Sequence, residues 1–298
     1  MTGRTLPPGY RPDGHLHLDD SISPVLVTDV DVTKYAENAR GRIAVADDVA
    51  IDGRTARDLA YLWRLETAAL HDMRAMLISW TGSEPRVTAF LATWAYERYW
   101  LARALRDLLD AADRPLQPPG PRPLSARARD VYLDRLLPLT SPLLGQLAGE
   151  ALTAGHMARM AVLEGAQQVA LETLRPRLAG EARDVVDEVA RRRTDIVAFF
   201  RAETAARVAR STAERALAWA YLQPPWRPLR TVGMRDALEV QALGSIFDDP
   251  ASLVALAASD TAVTAALPGR PTPSVTLVRR ARRRRRPLPT RPGSTHGV

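Results

Sequence analysis

The stretch RTARDLAYLWRLETAALHDMRAMLISWTGSEPRVTAFLATWAYERYWLARALRDLLDAA, Arg54 to Ala112, decides the fold. Apolar side chains recur every three or four residues through Leu59, Leu62, Leu70, Met73 and Leu77, the spacing of a buried helical face. Thr81-Gly82-Ser83-Glu84-Pro85 then combines a stop, a cap and a first-turn proline. A second stripe follows through Val87, Phe90, Leu91, Trp94, Leu101, Leu105 and Leu108. The pattern predicts one helix opening at Asp52 or Thr55, a tight turn, and a second helix folded back on the first.

A similar pair is predicted between Ser141 and Tyr221. Leu143, Leu147, Ala154, Met157, Ala161, Leu171 and Leu174 form one stripe, Pro176 and Gly180 mark a turn, and Val185, Val189, Ile196, Phe199 and Phe200 form the other. The proline-rich run from Pro115 to Pro123 admits no helix and separates the pairs. Val32–Val49 and 235–267 read as shorter helical regions. The expected organisation is an extended arm over 1–31, a single helical domain over 32–267 with its bundle core at 54–222, and a disordered arginine-rich tail over 268–298.

Acidic residues fall on the long stripes: Glu66, Glu97, Glu150 and Glu164 lie within them, and Asp195 at the edge of the fourth. Glu66, Glu97, Glu164 and Asp195 lie at matching depth. Each of these four is about 15 to 16 residues from its hairpin turn, or about 23 Å at helical rise. The four carboxylates are therefore expected at one level, in mid-bundle. Buried carboxylates require compensation by a metal, by arginines such as Arg192 or Arg201, or by protonation.

With these positions in place, the chain resembles the ferritin-like superfamily of di-iron carboxylate bundles over about residues 54–222. The resemblance implies an all-α four-helix bundle, built from two antiparallel hairpins joined by a long crossover. It implies a metal site, for iron or manganese, at Glu66, Glu97, Glu164 and Asp195. In that family the second and fourth helices carry Glu-x-x-His; here the histidine positions are Trp100 and Ala198. Neither side chain ligates a metal.

The remaining histidines do not restore such a site. His71 is rotated away from Glu66, and His156 is two turns from Glu164 and reads as an interior or surface histidine. His15 and His17 form a His-x-His with no further ligand anchored nearby, so a solvated loop is expected. Trp63, Trp80, Trp94, Tyr96, Tyr99 and Trp100 either pack as core or line a pocket; helical spacing favours core.

The chain has no cysteine, which excludes disulfides and thiolate sites. No phosphate-binding loop, dinucleotide fingerprint or nucleophile-elbow serine occurs. No apolar run reaches the ~18 residues of a membrane span, and a cytoplasmic location is expected. Nine arginines and no acid fall between Pro268 and Val298, and subtracting them from the net +7 leaves the rest at about −2. The block Arg279–Arg286 is therefore a candidate contact for polyanions. The functional reading is a degenerate ferritin-like bundle acting as a binding or accessory protein, without a cofactor, toward an unknown small molecule or protein. The alternatives are a variant metal-dependent oxidoreductase using the carboxylate cluster, and a nucleic-acid-associated protein acting through the tail.

Overall fold

A computed structural model of the chain describes residues 26–116, 149–230 and 235–285. Among the described residues it is all-α, without strands. The predicted first helix is two, α2 (Gly53–Thr67) and α3 (Ala69–Leu77), parted at Ala68. Asp52 opens α2 by accepting the amide protons of Arg54 and Thr55 at 2.8 and 3.1 Å. A 3-10 turn at Trp80–Ser83 leads into α4 (Pro85–Ala111), which starts on the proline. Ahead of these, α1 covers only Val32–Glu37, shorter than the region predicted.

The second pair is α5 (Ala151–Leu174) and α6 (Gly180–Arg210). Gly180 has φ +52°, a conformation that suits glycine, where the chain reverses. The predicted fourth helix also divides. At Ser211 the backbone is extended, and its hydroxyl caps α7 (Thr212–Tyr221) by accepting from the Glu214 amide at 3.2 Å. The predicted opening at Ser141 and most of the crossover lie outside the described residues.

Helices α2 and α4 pack together, as do α5 and α6, and α4 lies against α6. Their shared core holds Phe90, Trp94, Phe199 and Phe200. Phe90 stacks on Phe199 and meets Phe200 edge-on at 5.4 Å. Helix α7 lies on α5, together with α9 (Pro250–Thr264). Helix α8 (Asp236–Ile246) packs on α2.

The sequence pattern predicts disorder from Pro268 onward, and here the structure differs. Residues Pro273–Arg285 form helix α10, packed on α8 and α9. Val275, Leu277, Val278 and Ala281 are buried beneath it. Its arginines lie along the opposite side, so composition signalled a tail while the apolar spacing signalled an amphipathic helix. Arg286 lies outside the described residues.

Candidate functional site

Two of the four predicted carboxylates meet in the core, and they meet through arginines. Glu66 comes from α2, Arg98 from α4, Glu164 from α5 and Arg193 from α6; all four are buried. Arg98 Nε is 2.6 Å from Glu66 Oε2, and its Nη1 donates to Glu164 Oε1 at 2.5 Å. Arg193 closes the circuit, donating through Nη2 to Glu66 Oε1 and through Nη1 to Glu164 Oε2. The result is a ring of alternating sign with one member per helix and no net charge.

Surrounding groups add hydrogen bonds to Glu164 and Arg98, while the buried Arg193 Nε has no hydrogen-bond partner among the described residues. Trp94 Nε1 donates to Glu164 Oε1 at 3.1 Å, and Arg98 Nη2 donates to the Leu65 carbonyl at 2.8 Å. Burial pushes the Glu164 carboxyl up from the usual range, while Arg98 and the Trp94 hydrogen bond pull it down. Burial likewise pushes Arg193 down, to about 9.

Glu97 and Asp195 do not join. Adjacent helical residues differ by about 100°, so the residue after Glu97 takes the interior direction. Arg98 fills the line from Trp94 to Leu101. Glu97 instead accepts from Tyr35 Oη at 3.0 Å and from the Arg40 amide at 3.3 Å. Its pKa is raised by burial, against the Tyr35 hydrogen bond. Asp195 is exposed, and Arg193, two residues earlier, points inward. The compensating arginines are not the two predicted: Arg192 binds Glu188 and the carbonyl oxygens of Arg40 and Gly41, and Arg201 binds Ser259.

The donor set does not fit a di-iron centre. Glu66 and Glu164 are both engaged by guanidinium groups, which cannot ligate a metal. Among the described residues, no group of three or more histidine, aspartate or glutamate side chains could hold a metal ion. His156 is half-buried with Nδ1 2.8 Å from Thr81 Oγ1, its ring edge-on to Tyr221. Burial lowers its pKa to about 4. His71 is half-buried, and His15 and His17 lie outside the described residues. Of the aromatic group, Trp94 is fully buried, whereas Trp80, Tyr96 and Tyr99 are substantially exposed.

A second ion network, centred on buried Arg207 and Glu203 and reaching the surface at Arg210, ties α4, α6 and α7; the carboxylate register did not anticipate it. Arg207 Nη1 donates to Glu84 Oε1 at 3.0 Å, and its Nη2 donates to Glu203 Oε2 at 3.1 Å. Arg86 binds the other Glu203 oxygen. Arg210 joins Glu214 and Glu150 at 2.6 and 2.8 Å. The legible signal for both networks was arginine inside apolar stripes, at positions 98, 193 and 207. The high arginine content of the whole chain obscured it.

No family model matches the chain, and comparison with curated proteins and with solved structures finds no match. Among the described residues, no helix is long and apolar enough to cross a membrane.

Proposed function

We propose that the chain is a ferritin-like helical bundle that works as a binding or accessory protein, its interior closed by an ion-pair ring. The carrying observation is the Glu66–Arg98–Glu164–Arg193 circuit. It neutralises two carboxylates at the level where the family resemblance implies a metal, and it does so with groups that exclude one. The binding surface then belongs on the outside of the bundle.

Metal analysis of protein purified from iron- and manganese-supplemented cells tests this reading. The expected result is well under one metal per chain, unchanged in Glu164→Gln. Stoichiometric iron or manganese that disappears in Glu164→Gln would overturn it in favour of the metal-dependent oxidoreductase.

A second reading has one specific observation behind it. Arg279, Arg280 and Arg283 are exposed on α10 with no carboxylate partner among the described residues. This face supports association with a polyanion such as nucleic acid through its phosphates. It lacks interleaved aromatic residues, so base recognition has no support.

A further inference from the structure

A cleft of about 570 Å³ opens between α2, the segment that follows α4, and α8. Its size is that of a small-molecule site, which typically spans roughly 300–1,000 Å³. The floor is apolar, built from Ala56, Ala60 and Tyr61 on α2, Leu116, and Leu238 on α8. Leu238 is 38% exposed there.

Three arginines line the same cleft: Arg57 and Arg64 from α2, and Arg114. Arg57 and Arg64 are seven residues apart, so they project from one side of the helix two turns apart. None of the three has a carboxylate within ion-pair distance among the described residues. Arg64 is half-buried, as are Arg201 and Arg282, but those two donate to Ser259 Oγ and to the Asp248 carbonyl. Arg98, Arg177, Arg192, Arg193 and Arg207, which are as well or better covered, each bind a carboxylate.

The negative groups in the cleft are Asp58 and Asp113. Asp58 is buried and already engaged: its Oδ2 accepts from Ser245 Oγ at 2.6 Å and from Arg177 Nη1 at 3.1 Å. One exposed carboxylate therefore faces three arginines. An apolar floor beneath an excess of guanidinium groups, none of them in an ion pair among the described residues, is complementary to an anion that carries an apolar body.

We propose that this cleft binds a small amphiphile with a single anionic head group, carboxylate or phosphate. The head pairs with Arg64 and its neighbouring arginines, and the apolar body covers Ala56, Ala60 and Leu238. The inference rests on reading the bundle as a binding protein, and it gives that protein an external site and a ligand class.

Calorimetric titration of the full chain tests it, with decanoate, decyl phosphate and decylamine as probes. Saturable binding of one anion per chain is expected, with none for decylamine. The tighter of the two anions identifies the head group, and either result supports the site. Arg57→Gln/Arg64→Gln should weaken binding by about tenfold or more, the value of a charge-assisted hydrogen bond. Ala60→Trp, which fills the cleft, should abolish it, with the melting curve showing that the variant folds. If Ala60→Trp does not fold, the arginine variant decides, because Arg57 is exposed and Arg64 has no ion pair to lose among the described residues.

Failure of both anions to bind overturns the inference, as does equal binding of decylamine or indifference to the arginine substitutions. A metal-free protein with an empty cleft overturns this inference alone. Stoichiometric metal lost in Glu164→Gln overturns the reading beneath it.

Discussion

The guanidinium group of Arg193 binds the carboxylate of Glu66 in the middle of the core, 127 residues away in sequence. Removing one partner from a buried ion pair strands the other charge, at a cost of about 3–5 kcal/mol. Arg193→Met should therefore lower the unfolding free energy by that amount in urea titrations, with Glu66 left unpaired on one side. Replacing all four ring members by Leu and Met should leave stability near the wild-type value, since an apolar core of similar volume avoids the desolvation cost. A single substitution as mild as the fourfold one would show that the ring does not hold the core.

Two titrating groups, half-buried His156 and buried Asp260, oppose one another in acid. His156 has its pKa lowered to about 4, mainly by burial. The unfolded chain binds that proton first, at about 6.5. Stability from His156 is full above 6.5 and is lost as pH falls toward 4. Asp260 is raised to about 6 by burial, although it accepts amide protons from Ser274 and Val275. Its effect has the other sign: stability is greatest below the unfolded value near 3.8 and is lost as pH rises through 6. Each amounts to up to about 3 kcal/mol. Relative to wild type, His156→Phe should gain stability and Asp260→Asn should lose it as pH falls from 6.5 to 4. Parallel pH profiles for the three proteins would refute both assignments.

The helical repeat gave the helices, and it also located the interior of the bundle. It could not choose between Glu97 and Arg98. Both are buried, and a rotation of about 100° decides which one faces the other long helices. The expectation of paired carboxylates favoured the acid; packing turned Glu97 toward Tyr35 and the arginine toward Glu66 and Glu164. Asp195 and Arg193 repeat this reversal on α6. The break at Ser211 was invisible to periodicity, because apolar residues continue on both sides, although Ser211-x-x-Glu214 is a local capping pattern. Its cause is local: the serine hydroxyl caps the Glu214 amide, and the buried Glu214 engages Arg210. The ring pairings, in contrast, join residues 29 to 127 positions apart, so local pattern carried no trace of them.

Close approach of α5 and α7 depends on Gly155. A Cβ there would lie 2.6 Å from Tyr221 Cγ. That ring meets His156 edge-on, and the Arg159 guanidinium group lies 4.5 Å from its centroid. Gly to Ala inside a helix ordinarily gains about 1 kcal/mol, but overpacking costs about 1–3 kcal/mol. Gly155→Ala should be net destabilising by thermal melting. Gly53→Ala, where a Cβ meets nothing within 4 Å, should not be. A stabilised Gly155→Ala would mean that Tyr221 moves aside freely.

Helix α10 makes deletion of the arginine-rich end a poor test of what its arginines do. Removing 268–298 would uncover the surface beneath Val275, Leu277 and Val278, each worth about 1.5–3 kcal/mol of burial. It would also remove the hydrogen bonds from Arg282 to the Asp248 carbonyl at 3.0 Å and from Arg285 to the Gly244 carbonyl at 2.6 Å. The truncated chain should melt earlier for these reasons alone. Arg279→Gln/Arg280→Gln/Arg283→Gln spares those contacts, and none of the three has a carboxylate to lose among the described residues. The triple variant should keep the wild-type melting temperature. Its binding to duplex DNA should weaken and lose salt dependence, the slope of log K against log salt falling by up to about three. Unchanged affinity and slope would remove the α10 face from any role in polyanion binding.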